Sequence, residues 1–283
     1  MTDRELQVPM AGRTRTAQVC VPDGPPPAQG WPVVLAFHGG RSHPEAMRRF
    51  SGLDDFAAAD AALVFYPAGT GAKGSMLTWN GGNCCGEAVE TASDDVAFVG
   101  ELLERLAAEL PVDRRRIHAT GMSNGAMMAY RVGAELAGRI ASIAPVAGPL
   151  ALPSIAPCRP VPVLHFHGLL DQFTPFGGGV GRRSVTGTCH RAIIDGLMDW
   201  VRANRLAPDP VRTGIHSSEA GIAIERLAWG LPHEAEVVLY SIDGAGHTWP
   251  GRVPDSFYLG TSAVSFPANP LILDFFRRHP LEN

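Results

Sequence analysis

Short, continuous apolar runs recur along the chain and are separated by amphipathic segments. Each run has apolar or small side chains at most positions, without the strict alternation of a strand that has one wet face. The runs occupy residues 32–37, 62–66, 116–120, 139–146, 161–167 and 236–242. Such runs are typical of strands covered on both faces, as in a parallel sheet. The pattern therefore predicts six buried strands.

The segments between the runs carry helical patterns. Residues 94–110 are the longest, with Ser93 as the predicted N-cap and Pro111 as the stop. One face of this helix is predicted to carry Val96, Val99, Leu103, Leu106 and Leu110. Further helices are predicted at 125–136, 191–204 and 269–278, and a hairpin-like strand pair at 5–10 and 15–21. Strands that alternate with helices predict an α/β fold with a mostly parallel central sheet flanked by helices.

Composition narrows the class of protein. The chain has 283 residues, 45% hydrophobic and 18% charged, with a formal net charge of −4, so nothing attracts it to nucleic acid. No apolar stretch reaches the length of a membrane span, which argues against a membrane partner. No linker or repeat divides the chain, so one domain over residues 1–283 is predicted. The first twenty residues lack the apolar core of a secretion signal, which predicts a cytoplasmic protein, or a secreted one if a leader was removed.

One serine lies in an unusual setting. Ser123 is the centre of "GMSNG", between the predicted strand 116–120 and the predicted helix 125–136. This is the context of a nucleophile elbow, where the chain turns sharply and a side chain at Gly121 or Gly125 would collide with neighbouring backbone. The alternative is a plain Gly/Ser-rich turn. The elbow interpretation predicts Ser123 as a nucleophile, with the N–H of Asn124 donating to an oxyanion.

A serine nucleophile requires a base, which is itself oriented by a carboxylate. Asp171 follows the run 161–167, and His247 follows the run 236–242 in a loop of small residues. The order serine, acid, histidine is that of this class of site, and both loops follow strand ends. Other aspartates fit less well because they begin or lie within predicted helices, or sit too close to His247: Asp94, Asp95, Asp195, Asp199 and Asp243.

Two further sets of residues invite a chemical interpretation. His38 opens "HGGR" after the first buried run, where Gly40 is predicted to supply the second oxyanion donor; a plain Gly-Gly turn is the alternative. His165 and His167 alternate on a predicted strand and could suggest a metal pair. No third ligand is apparent, so a buried hydrogen-bonded role is favoured and no metal site is predicted.

Four separated motifs coincide: "FHGG", "WNGGNCCG", "GMSNGAMMAYR" and "HFHGLLD…GAGHTWPG". Together they resemble the polyhydroxybutyrate-depolymerase-like esterases, a group that includes feruloyl and acetyl-xylan esterases of carbohydrate esterase family 1. The resemblance implies an α/β-hydrolase fold and serine-dependent hydrolysis of carboxylic esters without a cofactor. Its nucleophile, acid and base fall on Ser123, Asp171 and His247.

The resemblance also bears on substrate. The chain shows no polymer-binding domain, which favours soluble or oligomeric esters of the feruloyl, acetyl-xylan or hydroxybutyrate type. A serine peptidase of the same fold and a non-catalytic scaffold are the alternatives. The oligomeric state stays open.

The segment "WNGGNCCGEA" is expected to line the site. Trp79 and Trp249 are the candidate substrate-binding residues, with packing against the sheet as the alternative for each. Cys84 and Cys85 could be buried thiols or form a vicinal disulfide, or one of them could pair with Cys158; disulfides near this loop are common in the family.

Overall fold

A computed structural model describes residues 2–10 and 12–282, and within this part of the chain ten strands form one sheet. The strands are β1 (Thr2–Met10), β2 (Arg13–Val21), β3 (Trp31–Phe37), β4 (Leu63–Pro67), β5 (Val112–Met122), β6 (Ser142–Val146), β7 (Val163–Gly168), β8 (Val211–Ile215), β9 (Ala223–Trp229) and β10 (Val237–Asp243). Their order across the sheet is β1-β2-β4-β3-β5-β6-β7-β10-β9-β8.

The centre of the sheet is parallel and its edges are antiparallel. The strands β4, β3, β5, β6, β7 and β10 run parallel to one another, and they correspond to the six predicted runs. The hairpin β1–β2 joins one side and the pair β9–β8 the other, all in antiparallel pairing. The predicted mostly parallel α/β sheet is confirmed.

Helices cover both faces of the sheet. They are α1 (Pro44–Ser51), α2 (Leu53–Ala57), α3 (Gly86–Glu90), α4 (Asp95–Glu109), α5 (Asn124–Glu135), α6 (Ile193–Ala203) and α7 (Ala268–Arg278). In β3, Val33 and Leu35 pack into the core under α4, α5 and α6, whereas Val34 and Ala36 pack under α1, α2 and α7. Because successive side chains point to opposite covered faces, the strand has no polar side, which explains the continuous apolar run.

Two details of the sequence prediction need correction. The N-cap of α4 is Asp94, not Ser93, because the Asp94 carboxylate accepts a hydrogen bond of 2.9 Å from the N–H of Ala97. The Ser93 hydroxyl instead lies 3.1 Å from the carboxylate of Asp95 inside the fold. The pair β8–β9 was not predicted, because β8 is mostly exposed and has few apolar residues, and because Glu225 and Arg226 interrupt the apolar residues of β9.

The parallel centre determines where the loops meet. Since β3, β5, β7 and β10 run in the same direction, the loops that follow them emerge at one edge of the sheet. The segments that begin with His38, Ser123, Leu169 and Gly244 therefore converge there. Across residues 2–10 and 12–282, no helix combines the length and apolarity needed to cross a bilayer.

Candidate active site

Ser123 sits at a sharp turn between β5 and α5. Its backbone has φ +58° and ψ −120°, a conformation that a residue with a side chain adopts only under strain. A Cβ at Gly121 would run into the carbonyl of Gly125, and a Cβ at Gly125 would run into the carbonyl of Phe37. The two glycines are therefore required by close backbone approach, as the sequence predicted.

Asp171 lies in a tight turn just after β7 and is buried. Its Oδ1 accepts hydrogen bonds from the N–H groups of Phe173 (2.8 Å) and Thr174 (2.9 Å). Its Oδ2 lies 2.7 Å from Nδ1 of His247. Burial alone would raise the pKa of this carboxyl, but the charge and the hydrogen bond of His247 outweigh burial and lower the pKa to about 2. The carboxylate is therefore ionised at neutral pH.

His247 follows β10 and is held on three sides. Besides the contact with Asp171, its backbone N–H donates to the carbonyl of Leu259 (2.7 Å), and its ring lies 5.0 Å from that of Phe173. A carboxylate can only accept, so the Nδ1 of His247 carries a proton, and in the neutral ring Nε2 is the nitrogen with the lone pair. His247 and Ser123 both line the same cavity. The structure thus pairs Asp171 with His247 and places His247 and Ser123 in the wall of one cavity at the carboxyl edge of the sheet.

The two residues predicted to supply the oxyanion donors, Asn124 and Gly40, line the same cavity. Asn124 is the first residue of α5, and the leading N–H groups of a helix have no partner within the helix. Gly40 lies beside it, since a Cβ on Gly40 would be 3.5 Å from the Cβ of Asn124. The side chain of Asn124 accepts from the N–H of Trp79 (2.7 Å) and donates to its carbonyl (2.9 Å), which joins the elbow to the loop 79–85.

His38 holds the loop that carries Gly40. Its Nδ1 donates to the carbonyl of Gly39 (2.8 Å), and its Nε2 accepts from the N–H of Gly69 (3.0 Å). Burial lowers the pKa of His38 to about 4, so the ring is neutral and can serve as donor and acceptor at once. The sequence placed His38 beside the candidate donor but did not reveal this role.

The cavity has a volume of about 570 Å³. Its walls are largely apolar, with contributions from Phe50, Met76, Met127, Phe173 and Leu259. This size and lining are typical of sites that enclose a small organic ligand.

The candidate substrate-binding tryptophans do not reach the cavity, which corrects that prediction. Trp79 and Trp249 are fully buried, and neither lines the cavity wall. The Trp79 indole N–H donates to the carbonyl of His38 (3.1 Å), and the Trp249 indole N–H donates to Asn269 (2.8 Å). Both rings therefore pack inside the protein, as the alternative interpretation held, and have no surface to offer to a substrate.

The cysteines follow one of the alternatives left open by the sequence. Cys84 and Cys85 are joined to each other as a vicinal disulfide, and both line the cavity. Cys158 is a free and exposed cysteine. Neither Cys84 nor Cys85 pairs with Cys158, and the disulfide joins two neighbouring residues in the wall of the cavity.

The histidines of β7 and the rival aspartates have other partners. His165 and His167 are buried and hydrogen-bonded to each other, as predicted. Asp95 is fully buried, pairs with Arg15 and accepts from the N–H of Asn80. It stabilises the loop that begins at Trp79 rather than the start of its own helix.

His190 is a cavity residue for which the sequence offered no supporting pattern. It precedes α6, is 7% exposed and lines the cavity near the His247 side. Its Nδ1 is buried and has no hydrogen-bond partner in the described part of the chain. Its position depends on the bridge that its backbone forms with Gly179, a contact between distant loops that sequence spacing does not show.

Comparisons with known proteins agree with this geometry. Residues 9–204 match the model of the Esterase family, described as "Putative esterase". The chain is 30% identical over 264 residues to "Putative esterase NocK" of Nocardia uniformis subsp. tsuyamanensis, covering 88% of this chain and 75% of the relative. It is 31% identical over 161 residues to feruloyl esterase B of Piromyces equi, covering 53% of this chain and 28% of that protein.

Further similarities confirm the resemblance noted in the sequence. A poly(3-hydroxyoctanoate) depolymerase of Pseudomonas fluorescens is 29% identical over 172 residues, 55% of this chain and 62% of that protein. The acetyl xylan esterase from Aspergillus awamori has a similar fold, with a TM-score of 0.64 at 14% identity over 97% of this chain and 99% of that one. The chain belongs to the Esterase family and is a carboxylic ester hydrolase with the α/β-hydrolase fold.

Proposed function

We propose that the protein is a serine esterase with Ser123 as nucleophile, His247 as general base and Asp171 as the orienting acid. The observation that carries the proposal is the 2.7 Å contact between His247 Nδ1 and Asp171 Oδ2, with His247 facing the cavity that the Ser123 elbow also lines. A serine hydroxyl is weakly nucleophilic at neutral pH, and this arrangement supplies the base that it needs.

In the first half of the reaction, His247 takes the proton from Ser123 as the serine oxygen attacks the ester carbonyl. The ionised Asp171 stabilises the imidazolium that forms. The N–H groups of Asn124 and Gly40 donate to the oxyanion, and each such donor contributes about 3 kcal/mol in comparable sites. His247 then protonates the departing alcohol, which leaves an acyl group on Ser123.

Water completes the cycle by the same steps, with water as the nucleophile and Ser123 as the leaving group. His247 takes a proton from water, the hydroxide attacks the acyl carbonyl, and the oxyanion donors act a second time. The acid product leaves when Ser123 recovers its proton from His247. The protein's own side chains and backbone perform every step.

For the substrate, we propose feruloyl, acetyl-xylan or hydroxybutyrate-oligomer esters. The names of the relatives support these classes, and the apolar cavity of about 570 Å³ suits a phenolic or short hydroxyacyl group. A panel of methyl ferulate, acetylated xylan fragments and hydroxybutyrate oligomers tests the choice, and the highest kcat/KM identifies the class. Equal or faster hydrolysis of a matched amide would favour the peptidase alternative.

Ser123→Ala tests the reaction itself, with Ser184→Ala as the matched control because Ser184 also lines the cavity. We expect Ser123→Ala to fold and to lose at least about a thousandfold in the hydrolysis of p-nitrophenyl butyrate, whereas Ser184→Ala stays within a few-fold of wild type. Stoichiometric labelling of the wild type by a fluorophosphonate, absent in Ser123→Ala, would exclude a scaffold. An active Ser123→Ala variant would overturn the proposal.

A further inference from the structure

A hydrogen-bonded chain of three buried side chains, those of Tyr130, His165 and His167, lies behind the candidate triad, and none of the three lines the cavity. The Tyr130 hydroxyl is 2.8 Å from Nδ1 of His165, and Nε2 of His165 is 3.1 Å from Nδ1 of His167. Nε2 of His167 is in turn 2.8 Å from the carbonyl oxygen of Thr174. Tyr130, His165 and His167 are each at most 1% exposed. Such groups are costly to bury unless every one is hydrogen-bonded, as these are.

Chemistry fixes the direction of these hydrogen bonds. The Thr174 carbonyl can only accept, so His167 donates from Nε2 and must accept at Nδ1. His165 therefore donates from Nε2 and accepts at Nδ1, which leaves the Tyr130 hydroxyl as the donor. Burial lowers the pKa of both histidines, so each ring is neutral and has one donor and one acceptor. The chain thus has a single consistent orientation, from Tyr130 to Thr174.

The hydrogen-bonded chain ends at the turn that holds the candidate acid. Thr174 donates its N–H to Asp171 Oδ1 (2.9 Å), and its hydroxyl lies 2.9 Å from Asp171 Oδ2. Nε2 of His167 is also 3.5 Å from Asp171 Oδ2. His167 therefore holds the carbonyl of the residue whose N–H holds the carboxylate and whose hydroxyl lies between the carboxylate and the carbonyl of Ala147 (3.0 Å). A shift of His167 would therefore move the carbonyl of Thr174 and, with it, the Thr174 groups that contact Asp171.

The hydrogen-bonded chain begins on the helix that follows the candidate nucleophile. Tyr130 lies on α5, seven residues after Ser123, and its ring stacks on His165 with 5.8 Å between centroids and on Trp200 with 6.2 Å. The chain consequently connects the helix behind Ser123 with the turn around Asp171. These two segments carry reacting groups whose relative placement the reaction depends on.

We propose that Tyr130, His165 and His167 are positioning residues that set Asp171, and through it His247, relative to Ser123. The proposal rests on the proposed function. None of the three lines the cavity, so their loss leaves the substrate contacts in place and affects the step in which protons move. A displacement of about 1 Å in a reacting group can cost about 100-fold in rate. The expected signature is therefore a lower kcat at an unchanged KM.

The experiment compares two substitutions of His167 with a matched control. His167→Leu removes the donor to Thr174, whereas His167→Gln can place an amide N–H where Nε2 was. The control is His118→Leu, because His118 is equally buried, lies 2.8 Å from the Ser142 hydroxyl and stacks on Phe276 on the opposite face of the sheet. This control distinguishes the effect of removing any buried histidine from the effect of breaking the hydrogen-bonded chain between Tyr130 and Thr174.

We expect His167→Leu to lower kcat for p-nitrophenyl butyrate by about 10- to 100-fold with KM within about twofold. His167→Gln is expected to recover kcat to within about fivefold of wild type, because it keeps the donor. His118→Leu is expected to show a comparable fall in urea midpoint with kcat within about twofold. Stability is measured by urea unfolding for all three variants.

A kcat for His167→Leu within twofold of wild type would overturn the proposal, as would equal losses in His167→Leu and His118→Leu. If His167→Leu does not fold, Tyr130→Phe decides, since it removes one hydroxyl and is expected to lower kcat by about threefold or more at constant KM. An unchanged kcat there overturns the proposal. Ser123→Ala is assayed in parallel: activity in that variant refutes the proposed function, whereas an inactive Ser123→Ala beside a fully active His167 variant refutes only the positioning role.

Discussion

The strained backbone of Ser123 predicts that the candidate nucleophile destabilises the protein, and that glycine relieves the strain. Ser123 has φ +58° and ψ −120°, a region in which a residue with a Cβ costs about 1–3 kcal/mol. Ser123→Ala keeps the Cβ and hence the strain, whereas Ser123→Gly removes it. Both variants lack the hydroxyl, so the difference between them isolates the backbone term.

The magnitude follows from two opposing effects. Relief of strain favours Ser123→Gly by about 1–3 kcal/mol. The greater freedom of glycine in the unfolded chain disfavours it by about 0.5–1 kcal/mol. The net expectation is that Ser123→Gly is more stable than Ser123→Ala by about 0.5–2 kcal/mol.

The assay is urea unfolding of both inactive variants, read by circular dichroism at neutral pH. Ser154 is the control position, because it is exposed and has no positive φ. There the order should reverse, with Ser154→Gly less stable than Ser154→Ala by up to about 1 kcal/mol. If Ser123→Gly were also less stable than Ser123→Ala, the elbow would hold no strain and this reasoning would be refuted.

Three further predictions concern stability and substrate contact. Burial lowers the pKa of His118 to about 3, from 6.5, so as the pH falls the unfolded chain takes up this proton before the folded protein does. The resulting stability is complete above pH 6.5 and is lost as the pH falls towards 3, so the urea-unfolding free energies of wild type and His118→Asn should converge by about 2–3 kcal/mol between pH 7 and 4.5; parallel curves would contradict this. Asn124→Ala leaves the buried N–H of Trp79 without its partner, whereas the Trp79 carbonyl keeps the N–H of Cys85, and the variant should lower the free energy of unfolding by about 1–3 kcal/mol; a loss below about 0.5 kcal/mol would contradict that. Trp249→Phe should lower the free energy of unfolding by about 1–3 kcal/mol but leave KM for p-nitrophenyl butyrate within about twofold of wild type, because the Trp249 ring is buried away from the cavity. Phe173→Ala should raise that KM several-fold because Phe173 lines the cavity, and the reverse pattern would restore Trp249 as a substrate contact.

Much of the fold and part of the site could be predicted because the signals are local. A strand covered on both faces needs apolar side chains at successive positions, so the central strands were visible as runs. The elbow at Ser123 requires small residues at Gly121 and Gly125, which is a pattern of five consecutive residues. Asp171 and His247 were found because loops at the ends of parallel strands meet at one edge, a rule that needs only chain order.

What the sequence determined by itself was therefore the parallel α/β sheet, the elbow around Ser123 and the candidates Asp171 and His247. Only the tertiary structure decided which buried groups face each other: that the two tryptophans turn inward, that His190 lines the cavity, and that His165 and His167 connect Tyr130 with the turn around Asp171. The physical reason is that periodicity reports which face of an element a residue occupies. The partner across that face comes from an element far away in the chain, and it is known only when the elements have packed.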